Sequence, residues 1–287
     1  ILAQQHYDNV IQLLGDMPIS VSFLTGSIKG KKREQVLYDL HTGLTHIIIG
    51  THALIEPTVV FKNLGLAIVD EQHRFGVAQR ASLWKKNKDF APHILVMTAT
   101  PIPRTLAMTI YGDLDVSIID ELPPGRKDIK TIHQYEKARP QLLQFMHSEI
   151  AKGRQIYVVF PLIEESEKLD LQNLQDGYEK LLQYFPLPDY KISVVHGRMS
   201  AKDKDMEMQR FANKISQIMV ATTVIEVGVN IPNASVMVIE NTERFGLSQL
   251  HQLRGRVGRG ADQSYCILMS DYKLSKEGRE RIATMVR

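Results

Sequence analysis

Cysteine is almost absent: Cys266 is the only one in 287 residues, and it lies inside the apolar run Tyr265-Cys266-Ile267-Leu268-Met269. That excludes a disulfide framework and a cysteine-based metal site and marks a core thiol. Long apolar runs are missing as well. No stretch approaches the roughly 18 residues needed to cross a bilayer, and no signal-peptide pattern is present, so a cytoplasmic protein is expected. Charge of one sign is not in excess. Against 32 Asp and Glu stand 35 Lys and Arg, a net charge of +3, which is compatible with a polyanionic partner but too weak to require one. No repeat of fixed short period appears. The chain opens on Ile1 rather than Met, with Ile1 to Tyr7 already reading as the start of a helix, so a piece of something longer is expected.

What is present is apolar content, 44% of the chain, enough to build cores for one large or two ordinary domains. Short apolar runs alternate with amphipathic segments, the pattern of βαβ units and a mainly parallel α/β fold. Strands are predicted at 19–24, 46–50, 64–70, 93–98, 155–160, 191–196, 217–221, 235–240 and 265–269. Helices are predicted at about 32–42, 74–86, 103–111, 140–152, 174–185, 200–213, 248–258 and 275–286, with Ser200 and Asp203 at capping-box spacing. The polar stretch 164–176 reads as a surface loop. The strand series breaks at Glu121-Leu122-Pro123-Pro124-Gly125-Arg126, a turn signal taken as the boundary between two domains, 1–125 and 126–287.

The most informative feature is what stands at the ends of the apolar runs. Leu64 to Val69 reads as a strand buried on both faces, and it stops on Asp70-Glu71-Gln72-His73. Two adjacent carboxylates there are costly to bury unless they hold a metal or do chemistry, and in open α/β sheets that edge is where ligands sit. Other runs end on Gly50-Thr51-His52, Thr98-Ala99-Thr100-Pro101, His196-Gly197-Arg198 and Thr222-Thr223. Gln252-Leu253-Arg254-Gly255-Arg256-Val257-Gly258-Arg259 lies on or just after a helix, with Arg256 and Arg259 spaced to share a face. One such residue means little, but the succession suits a phosphate-handling cleft between two domains.

The acidic box, Thr98-Ala99-Thr100 and Gln252 to Arg259 resemble the second, third and sixth motifs of superfamily 2 helicases and translocases. His73-Arg74-Phe75-Gly76-Val77, Thr98 to Thr105, Glu121 to Arg126 and Glu243-Arg244-Phe245-Gly246-Leu247 narrow the resemblance to the RecG group of branch-migrating bacterial DNA helicases. Mfd-type transcription-repair translocases share much of this, but their acidic box usually has Glu where Gln72 stands and they lack the Leu-Pro-Pro-Gly-Arg linker.

The resemblance implies two RecA-like domains clamping one ATP, the first incomplete at its N-terminus. It places Asp70 on Mg2+ mostly through water, Glu71 as the group orienting the attacking water, and Gln72 and His73 as carriers of the nucleotide state. Arg256 and Arg259 would meet the γ-phosphate, with Gln252, Gly228 and Asn230 near the sugar and phosphates; relatives more often have Asp at the position of Asn230. Thr98 and Thr100 would couple nucleotide to domain closure. Gln4, Thr51, His52, His196, Gly197, Thr222 and Thr223 would hold DNA phosphates, on branched or single-stranded DNA and without base specificity. The parent is expected to act as a monomer. A G-x-x-x-x-G-K-[ST] phosphate loop is not present, and Gly26 to Lys32 fails its spacing. These residues alone are therefore expected not to turn over ATP. An Mfd-like motor, or an inert DNA-binding module that has lost its phosphate loop, stand as the alternatives.

Overall fold

The computed structural model describes residues 2–70, 86, 90–98, 115–121, 126–161, 167–222, 231–260 and 262–286. The expected helix at 103–111 lies outside them, as does that at 74–86 apart from Lys86. The chain divides into two compact units, Ile1–Val116 and Ser117–Arg287.

In the first unit, helix α1 (Leu2–Leu14) precedes β1 (Val21–Leu24), α2 (Lys31–Thr42) and β2 (Ile47–Gly50). Strands β1 and β2 pair in parallel, and α2 closes a small core of Leu24, Leu40, Ala53 and Val59. Strand β3 (Leu66–Val69) pairs in parallel with β4 (His93–Val96). The expectation that the Leu64–Val69 run is buried on both faces fails here. Val69 is buried, but Leu66 and Ile68 are 55% and 57% exposed. A run of aliphatic residues records what a strand can bury, while its neighbours decide what it does bury.

The second unit is built on a six-stranded parallel sheet in the order β5-β10-β9-β6-β8-β7. Its strands are β5 (Lys130–Tyr135), β6 (Gln155–Phe160), β7 (Ile192–Val195), β8 (Ile218–Thr222), β9 (Ala234–Ile239) and β10 (Tyr265–Ser270). Successive residues feed opposite faces. Met219 and Ala221 of β8, with Met237 and Ile239 of β9, join one core, and Ile218, Val220, Val236 and Val238 join the other. Helices α5 (Ala201–Ala212), α6 (Leu247–Arg254) and α7 (Lys276–Val286) cover the first face through Met208, Phe211, Leu250, Leu253, Ile282 and Met285. On the second face lie α3 (Arg139–Ala151) and α4 (Glu167–Tyr184), through Leu142, Leu143, Met146, Leu174 and Leu181. This is the three-layer arrangement that a parallel sheet needs to hide both sides.

Three expectations change. Strand β5 was not anticipated, because Lys-Thr-Ile-His-Gln-Tyr holds neither an aliphatic run nor a polar–apolar alternation, and it sits at the sheet edge, paired among the described residues only with β10. Residues 167–176, expected as loop, are helical. Leu174, Tyr178, Leu181 and Leu182 recur at helical spacing along the face of α4 that meets the core, and Gln175 Nε2 donates to Glu179 Oε1 at 3.1 Å one turn on. Helix α6 stops at Arg254, earlier than the predicted 258. The Ser200 cap is as expected in outline: its Oγ accepts the Asp203 N–H at 3.1 Å. The Asp203 carboxylate returns to the Ser200 hydroxyl at 2.7 Å, where a full capping box would reach the backbone N–H.

Candidate functional site

In the first unit, the parallel pairing brings two of the motif residues side by side. Val69 pairs with Val96, and Met97 N–H donates to Val69 O at 2.8 Å, so Asp70 leaves its strand beside Met97, with Thr98 one residue further on. The Asp70 carboxylate is 37% exposed, and His6 of α1 approaches it, with Nε2 3.3 Å from Oδ2. Among the described residues no group of three or more His, Cys, Asp or Glu could cage a metal. A single carboxylate on a strand end suits a hard cation that keeps most of its waters, as Mg2+ does, so Asp70 fits the expected role. Glu71, Gln72, His73 and Thr100 lie outside the described residues.

The Gly50-Thr51-His52 end is set by backbone crowding. A Cβ on Gly50 would stand 2.0 Å from Leu24 O, so only glycine allows β2 to run this close to β1. Past it, Thr51 N–H donates to Leu24 O at 3.3 Å, and a short 3-10 turn, His52–Leu54, follows. Thr51 and His52 are both exposed. Gln4 is exposed on α1, its amide donating to Asp8 Oδ1 at 2.9 Å.

In the second unit, His196 and Thr222 follow adjacent rungs of one ladder, since Val195 of β7 pairs with Ala221 of β8. Each carries a buried polar atom, His196 Nδ1 and Thr222 Oγ1, with no hydrogen-bond partner among the described residues. Burial, then the nearby Lys204 and Arg198 cations, hold the His196 pKa below its ordinary value. Gly197 O accepts from Lys204 Nζ at 2.9 Å, which fixes the turn leading into α5. Thr223, Gly228 and Asn230 lie outside the described residues.

Arg256 and Arg259 follow α6 rather than riding on it. Arg256 N–H bonds Leu253 O and Val257 N–H bonds Arg254 O, two tight turns that carry the chain past the helix end. Gly258 then takes φ +78°, and a Cβ there would meet Ile129 Cγ1 at 2.8 Å. Its N–H donates to Ser264 Oγ at 3.1 Å. Gly258 is thus closely approached by a neighbour, while a Cβ on Gly255 would make only ordinary contacts, the nearest at 3.4 Å. Both arginines are half-buried, as is Gln252 on the last turn of α6. Beneath them lies Tyr157 of β6. Burial pushes its hydroxyl well above the usual range, and the positive field of Arg256 and Arg259 opposes that rise.

Sequence reasoning passed over three residues that bear on these sites. Tyr157 looks like any apolar strand residue. Glu240, at the end of β9, is buried and held in a two-pronged ion pair by Arg139, whose second guanidinium nitrogen reaches Oε2 at 2.8 Å. Burial works against the Arg139 charge, and the Glu240 and Glu136 carboxylates outweigh it, holding the guanidinium well above its usual value. A carboxylate closing a wholly apolar run was the available signal for Glu240. His6 gave no sequence signal, because its partner lies 64 residues away in the chain (70 − 6).

The comparisons with known proteins follow the same division. Residues 1–109 match the family model described as DEAD/DEAH box helicase, and residues 137–261 match Helicase conserved C-terminal domain. The chain is 52% identical over 285 residues to an ATP-dependent DNA helicase RecG of Synechocystis sp., covering 99% of this chain and 34% of that protein. It is equally identical to the Bacillus subtilis ATP-dependent DNA helicase RecG, over 99% of this chain and 41% of the relative. A solved structure of RecG bound to a three-way DNA junction superposes with TM-score 0.81 at 42% identity, covering 99% of this chain and 36% of that one. The chain thus spans between a third and just over two-fifths of the length of these relatives.

Proposed function

Because the chain belongs to the RecG group of superfamily 2 helicases, with two RecA-like domains, we propose that it forms the motor core of an ATP-dependent DNA helicase that remodels branched DNA in recombination and repair. Domain limits of 1–125 and 126–287 go with this reading, as do a cytoplasmic location and action as a monomer. The observation that carries it is the meeting of His196 and Thr222 on adjacent strand ends, each with a buried atom, Nδ1 and Oγ1, that has no hydrogen-bond partner among the described residues. A buried polar atom left unsatisfied costs about 1–3 kcal/mol. A phosphodiester strand laid across those ends would bring acceptor oxygens, and the water they hold, to the His196 and Thr222 side chains. Gly197, Thr223, Gln4, Thr51 and His52 are assigned to phosphate contacts of the same kind, which hold the backbone without reading bases.

Hydrolysis is assigned to the acidic box and the arginine pair. Asp70 would hold Mg2+ through the ion's waters, and the ion would supply positive charge to the nucleotide phosphates. Glu71 accepts a hydrogen bond from the attacking water and aligns it, while Gln72 and His73 respond to the γ-phosphate. Arg256 and Arg259 supply permanent, planar positive charge to the γ-phosphate as charge develops there. Gln252, Gly228 and Asn230 hold the sugar and remaining phosphates, and Thr98 and Thr100 link hydrolysis to the grip on DNA.

The test is Arg256→Ala in the full-length protein. DNA-stimulated ATP hydrolysis should fall by at least about a thousandfold, the scale of an arginine finger, with affinity for a labelled three-way junction unchanged. Loss of junction binding with normal turnover would refute the assignment.

A further inference from the structure

Helix α1 touches two parts of the first unit that share no hydrogen-bonded ladder among the described residues, the β1–β2 pair and the β3–β4 pair. Tyr7 packs its ring 5.4 Å from that of Phe23 in β1. His6, the preceding residue, turns to the other pair, its Nε2 3.3 Å from Asp70 Oδ2 at the end of β3. Neighbouring residues on a helix point about 100° apart, so one step along α1 carries the chain from one contact to the other. Gln4 lies two residues earlier, roughly 200° round the helix from His6, and faces solvent.

His6 is one such neighbour of Asp70. Asp70 stands just past the last residue of β3 with its side chain 37% exposed, so the ladder fixes its backbone but not its carboxylate. A carboxylate that serves a cation through water must point the right way, and outer-sphere partners commonly set that orientation. The imidazole Nε2–H is a donor in either the protonated form or the matching neutral tautomer.

We infer that His6 is a positioning residue for the metal-nucleotide site. It orients the Asp70 carboxylate and ties that carboxylate to the helix whose Gln4 meets DNA. This rests on the motor function proposed above. Displacing α1 when Gln4 engages a phosphate would move the group that aims Asp70, giving DNA a direct route to the hydrolytic site.

The experiment compares His6→Ala, His6→Gln and Asp70→Asn in the full-length protein. It measures the Mg2+ dependence of binding of a fluorescent ATP analogue, DNA-stimulated turnover, and affinity for a labelled three-way junction without nucleotide. For His6→Ala the half-saturating Mg2+ concentration should rise about tenfold and kcat should fall by a similar factor, the range seen when outer-sphere partners are removed. Junction affinity should stay unchanged. His6→Gln, which keeps an N–H of similar reach, should recover most of both losses. A wild-type Mg2+ dependence in His6→Ala overturns the inference, as does an equal loss in His6→Gln. Weakened junction binding with normal Mg2+ dependence assigns His6 to DNA and overturns it too. Normal turnover in Asp70→Asn would instead overturn the motor function itself. His6 is 47% exposed, so the variants should fold. Should His6→Ala melt early, His6→Asn, too short to reach Asp70, takes its place in the same comparison.

Discussion

Ile68 and Ile218 sit in apolar runs that cannot be told apart by composition, Leu-Ala-Ile-Val and Ile-Met-Val-Ala, yet one is 57% exposed and the other fully buried. The second unit encloses β8 between β6 and β7 and covers both faces with helices. In the first unit β3 is paired on one edge only among the described residues, and Leu66, Ile68 and Leu95 stay exposed. Hydrophobic stabilisation follows area removed from water. The second unit therefore holds its strands by burial, and the first holds β3 and β4 chiefly by backbone pairing. The side chains proposed to act share the same position in both, at strand ends, but rest on supports of unequal strength.

The sharpest way to break this contrast is the matched pair Ile218→Ala and Ile68→Ala. The first should cost about 2–5 kcal/mol and the second within about 1 kcal/mol, read by denaturant unfolding followed separately in each unit. Equal costs would mean the two strands are equally supported. Next comes the buried pair in the second unit. Glu240→Gln leaves the Arg139 charge half-buried without its main partner, and should cost about 3 kcal/mol, seen as a lowered midpoint with unchanged denaturant slope. Smaller still is the difference between helix starts. Ser200→Ala removes a real cap from α5 and should cost about 1 kcal/mol. Gly30→Ser at the start of α2 should gain nothing, because Gly30 has φ +60°, where a side chain is strained. Circular dichroism melts would separate the two.

Acid gives the mildest test. In the second unit His133, His196 and His251 all have pKa values lowered first by burial, with nearby arginine and lysine charges adding to it at His196 and His251. A histidine with a depressed folded pKa binds fewer protons folded than unfolded, so its effect is absent above the ordinary value near 6.5 and destabilises as pH falls below it. Melting temperatures of the second unit should therefore be flat from pH 8 to about 7 and decline from about 6.5 downward. Replacing His196 with Gln should flatten part of that decline.

Much of this was legible in the order of residues, and the failures share causes. All nine predicted strands are present because each is a short aliphatic run bounded by polar residues. The one missed among the described residues, β5, has no aliphatic run in Lys130, Thr131, Ile132, His133 and gains its place by pairing with β10, more than a hundred residues away. Pairing partners at that distance leave no local trace. The strand-end motifs could be read because Asp70, Thr98, His196 and Thr222 are unusual residues for the ends of apolar runs. Contacts between motifs could not, and the links Asp70 to His6, Tyr157 to the arginines, and Glu240 to Arg139 come only from topology. The end of α6 was misplaced because Gly255 takes an ordinary right-handed conformation and the chain keeps turning after it. The left-handed residue, Gly258, comes only after those further turns.

One consequence of the β5–β10 pairing concerns force. These are the first and last strands of the second unit, side by side and parallel over six residue pairs. Tension entering ahead of β5 and leaving beyond β10 pulls the two along their length in opposite directions. The rungs between them are then sheared together instead of being peeled one after another, so the unit should resist stretching through its ends far better than an antiparallel pairing of the same two strands would.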